Sequence, residues 1–298
     1  MNIRTALALE AREMYVGKNR EIPGISVKEN KKEDILITEV EISDEITAKK
    51  IKKPVGRYTT IESEYFKMLS PEFLNKSSYV LKDELIKMKK ETDFNNVLIV
   101  GLGNAGITSD SLGPKVISKI MVTRHIKEYM PKHLDDDIIP VSALSPGVLG
   151  ITGIETNDII SAIAKKLKPD LIIVIDALAS SSPKRISTTI QITDTGINPG
   201  SGVSNNRKEI SQKSLNTPVI AIGVPTVVDL FSIAKFIYPK IEKTEIGKDF
   251  FVTPKEIDKL IENMSKIIAN GINLSLHKNI DLEYIEAFIN WLLVCGVV

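Results

Sequence analysis

Three near-continuous apolar runs constrain this chain more than any other feature: "NVLIVGL" (96–102), "DLIIVIDAL" (170–178) and "PVIAIGV" (218–224). Strands that are apolar on both faces must be covered on both sides, which implies a parallel sheet held between helices. Helical patterns alternate with the runs over 113–127, 156–168, 226–237 and 254–270. That alternation predicts the α/β class, with a three-layer core whose mostly parallel sheet is flanked by helices. Thr156 or Asn157 is the expected cap of the second helix. The fourth opens on "VTPKE", with Thr253 as N-cap, Pro254 at the first helical position and Glu256 completing a capping box. The most apolar run, "FINWLLVCGVV" (288–298), is far shorter than the ~20 residues that span a bilayer. With "DLEYIEA" before it, it reads as a terminal helix docked on the core or as a subunit contact.

Residues 1–90 differ in style from 91–298. The first part is charged and broken, and Ile35–Ile42 alternates apolar and polar residues as a half-buried strand does. A smaller β-containing N-terminal portion, packed on an α/β core that starts at 91, is therefore expected. Lys49–Lys53 reads as a solvated basic edge. "ISTTIQITDTG" (186–196) also alternates and is expected as a further strand nearer a sheet edge. Lys plus Arg total 39 against 38 Asp plus Glu, so no global basic field exists to hold a nucleic-acid backbone, and direct nucleic-acid binding is not expected. The single cysteine, Cys295, excludes an internal disulfide and fits a reducing compartment. With no charged leader ahead of an apolar signal core, the expected location is cytoplasmic, with no membrane partner.

The first run leads into "VLIVGLGNAGITSDSLGP" (97–114), where Gly101, Gly103 and Gly106 spell the dinucleotide fingerprint. A nucleotide-binding α/β oxidoreductase is one reading of it. In such sites the third glycine lies where the helix begins, so that the helix N-terminus meets the pyrophosphate. Here "ITSDSLGP" intervenes, and the acidic residue expected ~20 positions later is missing. The other product of the loop is Asp110, just beyond the carboxyl end of a buried strand, where open α/β sheets gather ligands. Asp176 holds the same kind of position, closing the run "LIIVI", and a buried carboxylate needs partners. If the strands at 97–101 and 171–175 are neighbours, both carboxyls share one rim. Two such groups cannot both ionise easily, so one keeps a proton near neutral pH. The pair would then supply a base to activate water and an acid to protonate a leaving amine. The plainer alternative makes Asp110 an N-cap and leaves Asp176 bonding loop amides.

His125, His133 and His277 are scattered, no HExxH is present, and the lone cysteine completes no thiolate set, so no metal site and no cofactor are expected. His125 remains a candidate to orient a carboxylate or ligate a metal near Asp110. Glu155, in the small-residue loop "SALSPGVLGITGIET" (142–156), is a second candidate for supporting the site. No G-x-S-x-G elbow supports a serine hydrolase. The glycine-rich "NPGSGVSNNRKEI" (198–210) is either a surface loop or a binder of phosphate or carboxylate through backbone amides and Arg207.

Taken together, "GLGNAGITSDSLGPKV", "PVSALSPGVLGITGIET", "IDALAS", "QITDTGINPGSG" and "IAIGVPTVVD" resemble the germination (spore) protease family of endospore-forming bacteria. The likeness runs in order from "IRTALALEA" to "VTPKEIDKLIENMSKIIANGIN" and covers nearly the whole chain. It implies an endopeptidase that degrades small acid-soluble spore proteins in the spore core, on an α/β core shared with hydrogenase-maturation endopeptidases. The mechanism attributed to the family uses two aspartates. By motif these fall on Asp110 in "ITSDSLGP" and Asp176 in "VIDALA", with Ser109 standing where the family has a proline. The resemblance also implies a zymogen that trims its own N-terminus at a substrate-like site. That site matches "RTALALEA", with residues 1–6 as propeptide and cleavage between Ala6 and Leu7. The family's residue before the cut is normally acidic, and here it is Ala6. A homo-oligomer, a tetramer by resemblance, is implied as well.

Overall fold

The three apolar runs become strands of one sheet. The computed structural model describes residues 7–16, 22–68, 70–89, 94–200, 207–241 and 250–295. In chain order these form α1 (Ala8–Val16), β1 (Ile25–Lys32), β2 (Ile35–Ile42), α2 (Glu45–Ile51), β3 (Gly56–Glu62) and α3 (Pro71–Met88). There follow β4 (Val97–Gly101), α4 (Leu112–Ile117), α5 (Arg124–Tyr129), β5 (Val141–Leu144), α6 (Leu149–Thr152), α7 (Thr156–Leu167) and β6 (Leu171–Ser180). The chain continues with β7 (Thr189–Thr193), α8 (Gln212–Leu215), β8 (Val219–Asp229), α9 (Leu230–Ile237), β9 (Phe251–Val252), α10 (Ile257–Leu276) and α11 (Leu282–Cys295).

The sheet has nine strands in the order β1-β2-β3-β7-β8-β6-β4-β5, with β9 added to β8. The block β5-β4-β6-β8, which holds the three apolar runs, is parallel. The wing β1-β2-β3-β7 is antiparallel and joins β8 antiparallel. In the parallel block, alternate residues serve opposite faces. Ile99, Ile173, Ile175 and Ile222 pack with α3, α4 and α10 through Leu81, Leu85, Val116, Met264 and Ile268. Leu98, Val100, Ile172 and Val174 pack with Ile160 and Ala164 of α7 on the other face. Double-sided cover is what runs without polar alternation require, and it produces the three layers.

The strand at 189–193 lies inside the sheet, between β3 and β8, and not near an edge. Its alternating polar residues are all buried. They face partners within the protein: Gln191 Oε1 accepts a hydrogen bond from Ala8 N–H at 2.7 Å, which ties α1 to the wing. Glu10, also on α1, is buried, and its carboxylate accepts from Ser180 Oγ at 2.6 Å and Ser181 N–H at 2.9 Å. Arg185 closes the attachment with paired bonds to Glu13 at 2.9 and 3.0 Å.

Four helix expectations change. The pattern over 113–127 divides into α4 and α5, because the intervening backbone bonds elsewhere. Met121 N–H donates to Asn273 Oδ1 at 3.1 Å, Thr123 N–H donates to Val141 O at 3.1 Å, and Thr123 Oγ1 donates to Ile139 O. The stretch expected to open the third helix is strand instead: β8 runs to Asp229, whose carboxylate then caps α9 at Ser232 N–H. The capping box expected at Thr253 does not form. Thr253 Oγ1 donates to Thr226 O at 2.9 Å, and α10 starts at Ile257 with no side-chain cap. At the helix over 156–167 the cap position is Glu155, and the Asn157 side chain bonds Glu209 O instead. The terminal helix docks as expected: Ile285 and Phe288 of α11 pack on Met121, Ile126 and Leu274. Among the described residues no helix is long and apolar enough to cross a membrane.

Asn273 satisfies two backbone groups of the α4–α5 connection at once, Met121 N–H and Lys119 O, each at 3.1 Å. Asn273→Ala leaves both buried groups unpaired, and a loss of ~1–3 kcal/mol is expected. Urea unfolding measures it; an unchanged midpoint would mean that the connection is held by packing alone.

Candidate active site

The rim is created by strands of unequal length. β4 stops at Gly101, opposite Ile175, and Leu102 N–H gives the last bond to Ile175 O at 2.8 Å. β6 and β8 continue, so Asp176 does not close its strand as the sequence suggests but sits within it, paired with Gly223. Beside it, where β4 has ended, lies the glycine loop. Asp176 is 7% exposed, and its Oδ1 accepts from Ala177 N–H at 2.9 Å.

The glycines of the fingerprint serve the protein's own backbone. A Cβ on Gly101 would lie 2.3 Å from Gly113 O, so this glycine lets β4 and α4 touch. Gly103 has φ +111°, and a Cβ there would lie 2.0 Å from Asp110 O. Only glycine allows that turn and that approach. Asn104 N–H, which a phosphate-binding loop would offer to a ligand, donates to Asp110 Oδ2 at 2.8 Å and to Asp110 O at 3.1 Å. Asp110 is not a helix cap either: Ser111 precedes α4 and makes no side-chain cap bond. The loop is a holder for a carboxylate.

Burial, followed by the negative charge of Asp110, pushes the Asp176 carboxyl up to about 8, although the Ala177 N–H bond pulls the other way. Burial raises Asp110 as well, opposed by the Asn104 N–H bond. The two groups are thus close enough to feel each other's charge. Asp176 is thereby held toward its protonated form at neutral pH.

Asp176 opens on a cavity of about 570 Å³. Its wall includes Lys53 and Tyr58 from the N-terminal wing, Gln191 and Thr193 from β7, and Arg207 and Glu209 from the glycine-rich segment. Glu155 supports this wall and not the aspartates: its Oε1 accepts from Lys208 N–H at 3.3 Å. His125 lies at the opposite end of the sheet. Its neighbours Thr123 and Arg124 bond Val141, where β5 starts, and Asn96, just before β4, roughly 17 Å of strand away from Gly101. His277 is buried at that same end, where its Nδ1 accepts from Ile139 N–H at 3.3 Å, and burial with Lys89 pushes it down to about 4. Among the described residues no three His, Cys, Asp or Glu side chains gather as a metal site needs. Ala6 lies outside the described residues, whereas Leu7 is fully buried.

Comparison with known proteins decides the family. The germination protease family model matches residues 7–244 and 235–289. The chain belongs to the germination protease family. It is 45% identical to a germination protease of Clostridium perfringens (strain 13 / Type A), covering 97% of this chain and 99% of that one. A germination protease of Caldanaerobacter subterraneus subsp. tengcongensis is 47% identical, over 93% of this chain and 94% of its own length. One from Bacillus thuringiensis subsp. konkukian is 37% identical, over 96% and 97%. Among solved structures, a [NiFe] hydrogenase maturation protease, HycI from Thermococcus kodakarensis KOD1, aligns with TM-score 0.35 and 17% identity, over 65% of this chain and 98% of that chain. The chain is an endopeptidase of the α/β class.

Sequence reading missed the wing's contribution to this protease. Lys52 and Lys53 line the cavity, although the basic run that contains them reads as a solvated edge; Lys49, Lys50 and Lys52 are exposed as that reading expects, while Lys53 is half-buried. The available signal was the break "KKPVG" after α2, where Lys52 turns left-handed at φ 56° and redirects the chain. Gln191 and Thr193 carried the opposite signal, since alternation usually means solvent.

A carboxyl whose folded pKa is raised loses stability as pH climbs, because the unfolded chain releases its proton first. Asp176→Asn removes that penalty. Its melting temperature should exceed the parent's by a margin that opens near pH ~4 and grows to about 8. Scanning fluorimetry across pH reads the margin, and a gap independent of pH would place Asp176 outside a desolvated site.

Proposed function

We propose that this endopeptidase cuts small acid-soluble spore proteins during germination, using a water molecule activated between Asp110 and Asp176. The observation that carries the reading is the buried Asp176 carboxyl, raised to about 8 beside Asp110 and open to a cavity of about 570 Å³. Asp110 is the base, favoured as the charged form by Asn104 N–H. It takes a proton from water as the oxygen attacks the scissile carbonyl carbon. Asp176 gives its proton to the departing nitrogen as the C–N bond breaks. The products are a new carboxyl group and a free amine, and one proton passing from Asp110 back to Asp176 restores the pair.

The substrate is an extended segment similar to residues 5–10 of this chain, T-x-apolar-A-x-E. Self-processing between Ala6 and Leu7 follows from the same reading, and activates a precursor. In its favour, Ala8 N–H is bonded to Gln191, a residue of the cavity wall that Asp176 shares. The enzyme works in the spore core as a homo-oligomer, a tetramer by family resemblance, with no cofactor and no direct contact to nucleic acid.

Incubation with a small acid-soluble spore protein, followed by mass spectrometry of the fragments, reports activity and cut site together. Asp110→Asn and Asp176→Asn should each slow cleavage by at least ~10²-fold; a variant that retains the parental rate removes its residue from the mechanism. The pH profile of kcat/KM should be a bell. Activity falls on the alkaline side near pH 8, as Asp176 loses its proton, and on the acid side as Asp110 gains one. A rate still climbing well above that alkaline limit would reverse the assigned protonation.

A further inference from the structure

Asn198, Gly200, Arg207 and Glu209 have no part in the water-activating chemistry, yet they line the same cavity. The backbone around Arg207 is pinned from several sides. Arg207 N–H donates to Pro199 O at 3.2 Å, and Ile197 and Ile210 exchange two bonds of 2.9 Å. Lys208 N–H donates to Glu155 Oε1 at 3.3 Å, and Asn157 Nδ2 donates to Glu209 O at 2.6 Å. The Arg207 side chain, by contrast, has no hydrogen bond or ion pair among the described residues. Other arginines are committed. Arg57 binds Asp194 at 2.9 Å, Arg185 binds Glu13 and Glu62, and Arg124 bonds Asn96.

The charges on the wall are unequal. Lys52, Lys53 and Arg207 face Asp176 and Glu209. Asp176 is uncharged at neutral pH, so the cations outnumber the anions. Burial, offset in part by Glu10, lowers Lys53 to about 8, which leaves its charge sensitive to pH. A guanidinium keeps its charge at any working pH and presents paired donors that match a carboxylate.

We propose that Arg207 is a specificity-determining residue that receives an acidic side chain of the bound peptide from the cavity wall. The proposal rests on the reading of Asp176 as the catalytic centre of this cavity. With Lys52 and Lys53 on the same wall supplying a positive field, a peptide with Glu at the matching position is held, and one with Gln is held less well.

Binding separates this from the chemistry. The Asp176→Asn protein is titrated with fluorescein-labelled peptides of residues 2–13. Glu, Gln or Lys replaces each position in turn from Thr5 to Glu10. At one position Glu should bind about tenfold tighter than Gln, the size of a charge-assisted pair. Arg207→Gln in that background should bring the two dissociation constants together, and Arg207→Glu should make Lys the preferred residue there. Equal affinity for Glu and Gln at every position overturns the proposal. So does a Glu preference that persists in Arg207→Gln. Failure of the cleavage mechanism would appear elsewhere, as undiminished proteolysis by Asp176→Asn, and leaves these affinities readable.

Discussion

A carboxyl group buried within a strand is the constraint to which the rest of the site answers. Asp176 is nearly sealed from solvent and has one backbone donor. Left alone it would simply be neutral. Asp110, carried in by the glycine loop, adds its charge to the burial that holds the Asp176 proton, and in the proposed mechanism the pair then shares one negative charge. Everything that fixes Asp110 therefore matters: the two-glycine contact between β4 and α4, the positive φ of Gly103, and the Asn104 N–H that favours charge. A β4 as long as its neighbour β6 would have run past Asp176.

The two halves of the chain meet at this place. The parallel block supplies the aspartates, and the antiparallel wing supplies the facing wall, through Lys53, Tyr58 and Gln191. β7 is the hinge of that arrangement, because it pairs with β3 on one side and β8 on the other. One continuous sheet thus takes in strands from the charged N-terminal portion and from the apolar core. Cavities at the junction of two such blocks are where side chains from distant sequence converge.

Much of the fold is legible in the sequence, and the reason is physical. Runs such as "LIIVI" leave a strand no exposed face, so double-sided burial follows directly. The two aspartates are legible for the converse reason: a charge at the end of such a run contradicts its surroundings. The order of strands is less legible, since alternation at 189–193 cannot distinguish solvent from a polar interior. Helix ends are less legible still. Thr253 and Thr123 look like helix residues or caps, but both hydroxyls are taken by distant carbonyls, of Thr226 and Ile139. His125 and Asp110 are 15 residues apart in sequence, yet the split of the helix between α4 and α5 carries them to opposite ends of the sheet.

The placement of β7 has a consequence for synthesis. β3 pairs with β2 as soon as both are made, but its other edge is filled only by residues 189–193. A ribosome must therefore add well over a hundred residues while that edge is bare. An unpaired strand edge is a template for association with neighbouring chains, and delayed partners lengthen the exposure. The Glu10 anchor to Ser180 and Ser181 has to wait longer still. While the chain is being made, the wing is the part of this protease most exposed to capture by chaperones.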